Sequence, residues 1–397
     1  MKSMLIIISA ILLLVVPCRQ TTARTLPYLK SSVLVGFEWT SQPHRFPGTH
    51  SDMHWETWAS DDAIYCIDGD GRYFNSPSYF ASLIKVTGTP PDHKIELVTQ
   101  FRQYPIREAT RGRKLRRYLC SPLSVDSTLY ACLYDYDWNL PGLNPDDAND
   151  RTIIDAYSKH AGIAGIIVSN DMGKNWRNIP GPNDHPFFGQ RYANLHFVNF
   201  GPGYTDVPQE LGDYVYGISN DKNWESGDNL FLARVPRNKM LDRSAWEFFA
   251  GQKEGRPLWS KNEDDSQPVF TDPGHVGHSC MSFNKPLGRY LLAVFSDTCP
   301  HRENASLEEV LANWDATTEL QIYEGEKPWG PWFLVYNENP WEGPQHAPYL
   351  PHLPTKWFSK DGLSGTMIYS GDWVHAKHPK GEYYAFMMRS FRLIKKR

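Results

Sequence analysis

The sequence predicts an all-β protein built from short strands, and three features of its 397 residues support this prediction. Aromatic residues are abundant, with 14 Trp, 21 Tyr and 19 Phe, and they accompany 30 Pro and 29 Gly. Aromatic side chains favour strands, whereas proline and glycine favour the tight turns that join them. No long window shows the periodicity of an amphipathic helix. The expected architecture is therefore a series of hairpins.

A series of apolar or alternating runs, each bounded by Gly, Pro, Asn or Asp, predicts the individual strands. These runs are Ala63–Ile67, Thr128–Tyr134, Gly162–Ser169, Tyr214–Ser219, Leu230–Val235, Tyr290–Phe295, Leu320–Tyr323, Trp332–Tyr336, Thr366–Tyr369 and Tyr383–Met388. Two short segments, Asp242–Phe249 and Leu307–Trp314, are predicted as helical excursions between strands. No segment resembles a linker, so the strands are assigned to one domain.

The N-terminus predicts export. An unbroken apolar run, Leu5–Val16, follows a lysine and is too short to cross a bilayer as a helix, but it suits the core of a signal peptide. Ala23 is a suitable cleavage position. Residues 1–23 are therefore predicted as a signal peptide and residues 24–397 as the mature domain. The protein is expected to be secreted or to lie in the secretory-pathway lumen, without stable membrane insertion after cleavage.

The charge balance argues against a nucleic-acid partner, because the formal net charge is only −4. One basic cluster, Arg107–Arg117, has no aromatic stacking platform interleaved with it and is interpreted as a solvated loop. Asn304 lies in a single Asn-Ala-Ser acceptor site and is predicted to be glycosylated.

Cysteine usage fits an oxidising compartment. Cys18 leaves with the signal peptide, and five cysteines remain. One or two disulfides are expected, with one thiol left over. The pairs nearest in sequence are Cys120–Cys132 and Cys280–Cys299, but the sequence leaves the connectivity open.

One motif indicates that these strands form a propeller. Ser169–Trp176 reads Ser-Asn-Asp-Met-Gly-Lys-Asn-Trp and resembles the Asp-box of sialidase-like propellers. Asp171 can accept hydrogen bonds from backbone donors in a tight turn, Gly173 can take a positive φ, and Trp176 can cover the hairpin. The motif is structural, so it predicts a β-propeller without marking its active site. A weaker echo, Ser219–Trp224, lacks the glycine.

The densest group of polar residues begins the mature domain. If residues 50–54 are extended, His50, Asp52 and His54 share one face, and a hairpin can bring Asp70 of Gly-Asp-Gly close to Asp52. Two carboxylates can divide acid and base roles when their environments differ. Alternatively, the aspartates satisfy turn donors, or His50, Asp52 and His54 bind a metal. We predict no metal and no cofactor.

Further polar residues stand near predicted strand starts, which in a propeller meet at the central channel. Asp52, Asp70, His54 and His278 are the predicted catalytic residues. The predicted substrate-binding residues are Trp55, Tyr73, Asn194, His196, Tyr349 and Trp373. A Gly-x-Ser-x-Gly nucleophile elbow and a phosphate-binding glycine loop are both missing, which disfavours serine-hydrolase and nucleotide chemistry.

Several stretches resemble a family of secreted propeller proteins, and the matches run from about residue 48 to the C-terminus. They include Ser51–His54, Thr57–Asp62, Gly69–Gly71, Val86–Pro90, Leu232–Pro236, Gly288–Leu291, Lys327–Trp332 and Pro354–Trp357. The resemblance implies a single propeller of five blades. It does not imply one activity.

Two activities follow from this resemblance. Some bacterial relatives are endo-acting arabinan hydrolases that use two aspartates, and Asp52 and Asp70 match them. Fungal relatives with a signal peptide are hetero-Diels–Alderases that join a tropolone-type ortho-quinone methide to a humulene-type sesquiterpene, forming a dihydropyran. The signal peptide and glycosylation site favour the second group. We therefore predict a hetero-Diels–Alderase acting on a polyene and a quinone methide. An endo-acting glycoside hydrolase and a non-catalytic carbohydrate-binding propeller, each with a glycan partner, are the alternatives.

Overall fold

The computed structural model describes residues 24–101, 107–109, 113–137, 159–181, 184–192, 194–222, 224–298, 317–372 and 382–397. Five antiparallel sheets are arranged in a ring, and a two-stranded sheet accompanies them. This arrangement confirms the predicted all-β, five-bladed propeller. No helix in these described segments is long and apolar enough to cross a membrane.

The described strands are short, as the turn signals predict, and they are numbered here in chain order. They are β1 (Leu34–Trp39), β2 (His44–Arg45), β3 (Thr49–Ser51), β4 (Trp55–Trp58), β5 (Ile64–Asp68), β6 (Gly71–Tyr73), β7 (Ala81–Thr87), β8 (Lys94–Phe101), β9 (Arg107–Ala109), β10 (Arg113–Val125), β11 (Thr128–Asp137), β12 (Lys159–Ser169), β13 (Leu195–Phe197), β14 (Tyr214–Asn220), β15 (Gly227–Pro236), β16 (Glu247–Lys253), β17 (Arg256–Ser260), β18 (Pro268–Val276), β19 (Cys280–Asn284), β20 (Arg289–Asp297), β21 (Thr318–Gly325), β22 (Trp332–Glu338), β23 (Tyr349–His352), β24 (Ser364–Ser370) and β25 (Met387–Lys395).

Single 3₁₀ turns supply the helical content of the described residues. They are Gln190–Tyr192, Pro202–Tyr204, Gln209–Leu211, Arg237–Lys239, Arg243–Ala245, Glu263–Asp265, Lys285–Leu287 and Thr355–Trp357.

The blades follow one another along the chain. Blade 1 is β4-β5-β7-β8, and blade 2 is β10-β11-β12 with β9 beside β10. Blade 3 is β13-β14-β15-β16-β17, with β18 beside β15, and blade 4 is β19-β20-β21-β22. The strands β4, β10, β13, β19 and β23 contact one another from blade to blade, so they form the inner wall of the ring.

The two ends of the chain close the ring together. Blade 5 is β23-β24-β25, and β1 pairs antiparallel with β25 as its outer strand, from Leu34 opposite Lys395 to Trp39 opposite Phe391. Before β1, the Arg24 guanidinium lies 2.7 Å from Asp272 and 3.2 Å from Glu319 in blades 3 and 4. Pairing the first strand with the last removes a free edge from the final blade.

Most of the predicted strands are confirmed, and two predicted segments are wrong. Residues 383–386 are not part of a strand. The Ala385 N–H donates to the Tyr383 carbonyl and the Phe386 N–H to the Thr49 hydroxyl, so β25 begins only at Met387. The predicted helix Asp242–Phe249 is a 3₁₀ turn capped by Asp242 and followed by β16. The other predicted helix, Leu307–Trp314, lies outside the described residues.

The Asp-box-like hairpin has the predicted geometry. Asp171 accepts hydrogen bonds from the backbone N–H of Asn175 at 2.9 Å and from the Ser169 hydroxyl at 2.8 Å. Gly173 has φ +87°, and the indole N–H of Trp176 donates to its carbonyl at 3.0 Å. The Thr99 hydroxyl of blade 1 also donates to this carbonyl. The hairpin therefore fixes the junction of blades 1 and 2.

One of the two cysteine pairs nearest in sequence, Cys120 and Cys132, does not form a disulfide. The two residues are directly opposite each other on β10 and β11, but both are buried free thiols, as are Cys66 and Cys280. Burial raises the pKa of the Cys120 thiol well above its usual range, which keeps it protonated and unreactive. Cys299 lies outside the described residues.

Candidate functional site

Several predicted site residues meet where the inner strands begin. His196 in β13 accepts a hydrogen bond from the Trp55 indole at 2.6 Å, and its ring centre is 5.7 Å from that of His278. The Asn194 amide lies 3.4 Å from the same His196 nitrogen. These four side chains come from blades 1, 3 and 4 and are almost fully buried. Asn194, His196 and His278 gather as expected of polar residues at strand starts. The catalytic role predicted for His278 and the substrate-binding role predicted for the other three stay predictions.

The predicted hairpin also brings Asp52 and Asp70 together. β3 pairs with β6 so that Ser51 is opposite Gly71, and the Gly69 N–H donates to the Asp52 carbonyl at 2.9 Å. A Cβ at Gly69 would lie only 2.1 Å from Asp52 Oδ1, so the absence of a side chain makes room for the carboxyl group. The Gly-Asp-Gly turn therefore positions both aspartates.

The two aspartates have different surroundings. Asp52 is only 6% exposed, whereas Asp70 is half-buried and reaches solvent. Burial raises the pKa of Asp52 well above its usual range, and the negative charge of Asp70 raises it further. A buried carboxyl group beside one that reaches solvent is an arrangement that can separate an acid from its partner base or nucleophile.

Tyr349 holds one oxygen of Asp52. Its hydroxyl donates to Asp52 Oδ2 at 2.9 Å, which partly opposes the rise in the pKa of Asp52. Oδ1 has no hydrogen-bond partner in the described part of the chain. Because Oδ2 already accepts the tyrosine proton, an acidic proton on Asp52 is best accommodated at Oδ1.

One aromatic residue that was not predicted, Tyr384, contacts the pair, and an aromatic cluster around Trp224 forms a separate group. The Tyr384 hydroxyl donates to the Asp70 carbonyl at 2.7 Å, and burial together with the charges of Asp52 and Asp70 raises its pKa. Trp224 stacks on Tyr136 with ring centres 4.2 Å apart and contacts Tyr118 edge-on. A sequence signal existed for Trp224, since it ends the Asp-box echo, but Tyr384 and Tyr118 had none.

His54 does not share a face with His50 and Asp52, so that prediction is wrong. Met53 has φ +75° and His54 φ +23°, and these conformations interrupt the extended chain after β3. The His54 ring consequently turns into the core, where Nδ1 lies 2.6 Å from Asp68 and 3.3 Å from the Tyr73 hydroxyl. Strained backbone next to Asp52 is typical of a functional site.

A second polar layer lies deeper in the channel. The Asn199 amide donates to Glu56 Oε1 at 2.8 Å, and burial raises the pKa of Glu56 to about 8. His352 in β23 stacks parallel to His196 at 6.0 Å, and burial lowers its pKa to about 3. Both side chains are therefore held neutral near pH 7.

The described residues were compared with the ligand arrangement that a metal ion requires. Among the described residues, no three His, Cys, Asp or Glu side chains are arranged to hold an ion. Trp373 and Asn304, predicted for substrate binding and glycosylation, lie outside the described residues.

Together the fold and its centre define a five-bladed β-propeller with a pair of aspartates among aromatic side chains at the start of its inner strands. The chain belongs to the family described as a domain of unknown function, DUF4185, which matches residues 152–357. A comparison with curated proteins found no match.

Solved structures share the fold at low sequence identity. A Bacteroides ovatus protein assigned provisionally as a hydrolase is 12% identical with a TM-score of 0.52, and the match covers 88% of this chain and 87% of that one. A thermostable family-43 glycoside hydrolase matches at 13% identity and TM-score 0.40, over 89% and 92% of the two chains. The α-L-arabinofuranosidase PaAbf62A of Podospora anserina matches at 10% identity and TM-score 0.41, over 93% and 96%.

Proposed function

We propose that this protein hydrolyses glycosidic bonds, with Asp52 as the general acid and Asp70 as the second carboxylate. The observation that carries the proposal is the Asp52–Asp70 pair itself, one carboxyl group buried and bonded to Tyr349 and the other facing solvent. Glycoside hydrolysis needs two such carboxyl groups, one protonated and one ionised.

The chemistry assigns a task to each group. Asp52 gives its proton to the leaving oxygen as the bond to the anomeric carbon breaks, and water finally supplies the hydroxyl group of the new reducing end. Asp70 either attacks the anomeric carbon or takes a proton from the attacking water, and retention or inversion in the product distinguishes the two routes. Tyr349 and Tyr384, which contact the pair, offer aromatic surfaces that can pack on sugar rings.

Arabinan is the first polymer to test, because Asp52 and Asp70 are the positions that match the two aspartates of the bacterial endo-acting arabinan hydrolases. The purified protein is incubated with arabinan, and new reducing ends are counted over time. Asp52→Asn and Asp70→Asn should each lower the rate by about 10²–10⁴-fold. Asp361→Asn, which alters an exposed turn carboxylate, should leave it unchanged. Equal rates for all variants would refute the proposal.

The hetero-Diels–Alderase prediction gains no support from the comparisons. Cycloaddition needs an apolar pocket that aligns diene and alkene, whereas the side chains around Asp52 carry carboxyl and phenol groups. Incubation of the same protein with a tropolone quinone-methide precursor and humulene tests this alternative. Accelerated adduct formation without sugar release would show that the protein catalyses cycloaddition and not hydrolysis.

The same assays address the other alternative. Arabinan binding without hydrolysis would identify a carbohydrate-binding propeller. We also propose that the protein acts after export, as Leu5–Val16 predicts. N-terminal sequencing of protein from the culture medium should begin at or near Arg24.

A further inference from the structure

The hairpin that carries both aspartates has an interrupted strand ladder. The pairing of β4 with β5 reaches Trp55 opposite Ile67, and the same register resumes where β3 pairs with β6. Residues 52–54 on one side and 68–70 on the other lie between these two pairings. Both aspartates belong to this interruption, so contacts other than regular strand pairing must fix their positions.

At the opposite end of the interruption from Asp52 and Asp70, one side-chain bond joins the two sides of the hairpin. His54 Nδ1 lies 2.6 Å from Asp68 Oδ1, and neither side chain has exposed surface. The Tyr73 hydroxyl lies 3.3 Å from the same nitrogen, and His352 of β23 also faces the imidazole. The Phe386 ring packs on it with ring centres 4.9 Å apart. The imidazole is therefore held in one orientation.

The backbone beside Asp52 needs such support. Met53 has φ +75° and His54 has φ +23°, which side chains of these types seldom adopt. Strained conformations of this kind persist only where surrounding contacts hold them. His54 is one of the two strained residues, and Asp68 holds its side chain. Loss of this bond should let residues 53–54 relax towards an extended conformation and carry Asp52 with them.

The His54–Asp68 pair is better explained by this conformation than by stability. Burial raises the pKa of the Asp68 carboxyl group, and His54 opposes that rise. Removing two polar groups from water largely offsets the attraction between them, so a buried pair adds little net stability. The best-attested use of such a pair is to select one arrangement of the chain.

We propose that His54 and Asp68 are positioning residues, whose buried bond holds the interrupted part of the hairpin and thereby orients Asp52 and Asp70. Neither residue can touch a substrate, because both side chains are fully buried. Their contribution to catalysis rests on the proposed hydrolysis, whereas the orientation of Asp52 can be measured without it.

The burial of Asp52 provides a direct measure of its orientation. Titratable groups face it from four segments, namely Asp68 at the end of β5, Asp70 before β6, Tyr349 in β23 and Tyr384 before β25. Burial is the largest cause of its raised pKa, and the charge of Asp70 is the next. A carboxyl group that moves towards solvent should therefore lose much of this rise.

Two substitutions of His54 separate the bond from the bulk of the ring. His54→Phe keeps the ring but cannot bond Asp68, whereas His54→Asn keeps an N–H donor and adopts a positive φ more readily. On arabinan, kcat of His54→Phe should fall about a hundredfold, as expected for a displaced catalytic group. His54→Asn should retain more activity than His54→Phe, and KM should change little in either.

The matched control is Asp135→Asn. It weakens another buried ion pair, Arg117–Asp135 at 2.7 Å in blade 2. This variant should lose stability in urea unfolding, but the kcat of its folded form should equal that of the wild type. The control therefore separates a general loss of stability from displacement of Asp52.

Carboxyl ¹³C NMR of the full chain measures the pKa of Asp52 independently of hydrolysis, and the Asp52 signal is identified by its absence in Asp52→Asn. The pKa of Asp52 should fall by about one unit or more in His54→Phe and stay unchanged in Asp135→Asn. Circular dichroism verifies each fold. If His54→Phe does not fold, Asp68→Asn, which keeps the size of the side chain, takes its place, and its maximal rate should fall.

Four results would overturn the positioning role. They are an unmoved Asp52 titration in His54→Phe, an unchanged kcat in that variant, an equal loss of kcat in Asp135→Asn, and an unchanged maximal rate in Asp68→Asn. The last would mean that Asp68 acts through its charge alone. A wild type that does not hydrolyse arabinan, combined with the expected fall in the pKa of Asp52 in His54→Phe, would overturn only the proposed function.

Discussion

The hydroxyl of Tyr349 donates a hydrogen bond to Asp52 Oδ2 across 297 positions of sequence. This contact joins the inner strand of blade 5 to the segment just before the inner strand of blade 1, where the ring closes. It fixes one oxygen of the buried carboxyl group and leaves the other without a partner among the described residues. The acidity and the orientation of Asp52 therefore depend on closure of the propeller.

Tyr349→Phe should change the pH profile as well as the rate. The tyrosine bond stabilises the ionised form of Asp52, so its removal should raise the pKa of Asp52 further. The alkaline limb of arabinan hydrolysis should move to higher pH because the acid stays protonated longer. At the optimum, kcat should fall about tenfold, which corresponds to ~1.4 kcal/mol. Tyr130→Phe, a half-buried tyrosine of β11, is the control. A lower rate with an unmoved alkaline limb would contradict this account.

Gly69→Ala should impair catalysis without unfolding the protein. Its Cβ would lie 2.1 Å from Asp52 Oδ1 and would displace the carboxyl group. Misplacement by about 1 Å can cost roughly a hundredfold in rate, so kcat on arabinan should fall by about that factor. In the control Gly36→Ala, the nearest atom is the flexible Cδ1 of Ile394 at 3.1 Å. If the Gly69 variant retains full activity, the observed position of Asp52 is not the reactive one.

Glu56→Gln should stabilise the protein at alkaline pH. Burial raises the pKa of Glu56 from 4.5 to about 8. Between these values the unfolded chain loses a proton that the folded chain keeps, so stability falls as pH rises. The fall is roughly 1.4 kcal/mol for each pH unit within that interval. Glutamine removes this pH dependence and can keep an oxygen for Asn199.

Thermal denaturation at several pH values checks this expectation. The melting temperature of Glu56→Gln should exceed that of the wild type at pH 8 and approach it at pH 5. Glu326→Gln, which changes a mostly exposed carboxylate, is the control. An equal difference at both pH values would mean that titration of Glu56 is not responsible.

Gly173→Ala should destabilise the fold while leaving the kcat of the folded enzyme unchanged. The residue has φ +87°, and a Cβ would lie 2.0 Å from Leu83 Cδ2 in blade 1. The backbone strain and the steric clash together should cost about 2–4 kcal/mol, measured by urea unfolding. Gly255→Ala isolates the strain, since Gly255 has φ +74° and no atom near its Cβ position. Similar losses in both variants would show that contact with blade 1 adds little.

Local signals predicted much of this molecule. Short aromatic-rich runs punctuated by glycine and proline located strands such as β11, β20 and β22, since alternation and turn chemistry act over a few residues. The Asp-box pattern at Ser169–Trp176 predicted its own hydrogen bonds for the same reason. The Gly-Asp-Gly turn likewise predicted that Asp70 approaches Asp52, because one hairpin brings them together.

Predictions failed where residues distant in the sequence determine the backbone conformation and its hydrogen bonds. Extension through residues 50–54 fits their local pattern, but the fold gives Met53 and His54 positive φ and places the His54 ring against Asp68. Residues 383–386 read as a strand, yet they bond to Thr49 and to one another. Neither outcome can be read from side-chain alternation alone.

The sequence by itself determined the all-β class, most strand positions and the pair Asp52 and Asp70, because each depends on interactions between near neighbours in the chain. Only the tertiary structure decided which aspartate is buried, that Tyr349 and Tyr384 reach the pair, and that His54 does not. Those relationships arise when blades 1 and 5 meet. The burial and charge that set the pKa of Asp52 exist only after the ring has closed.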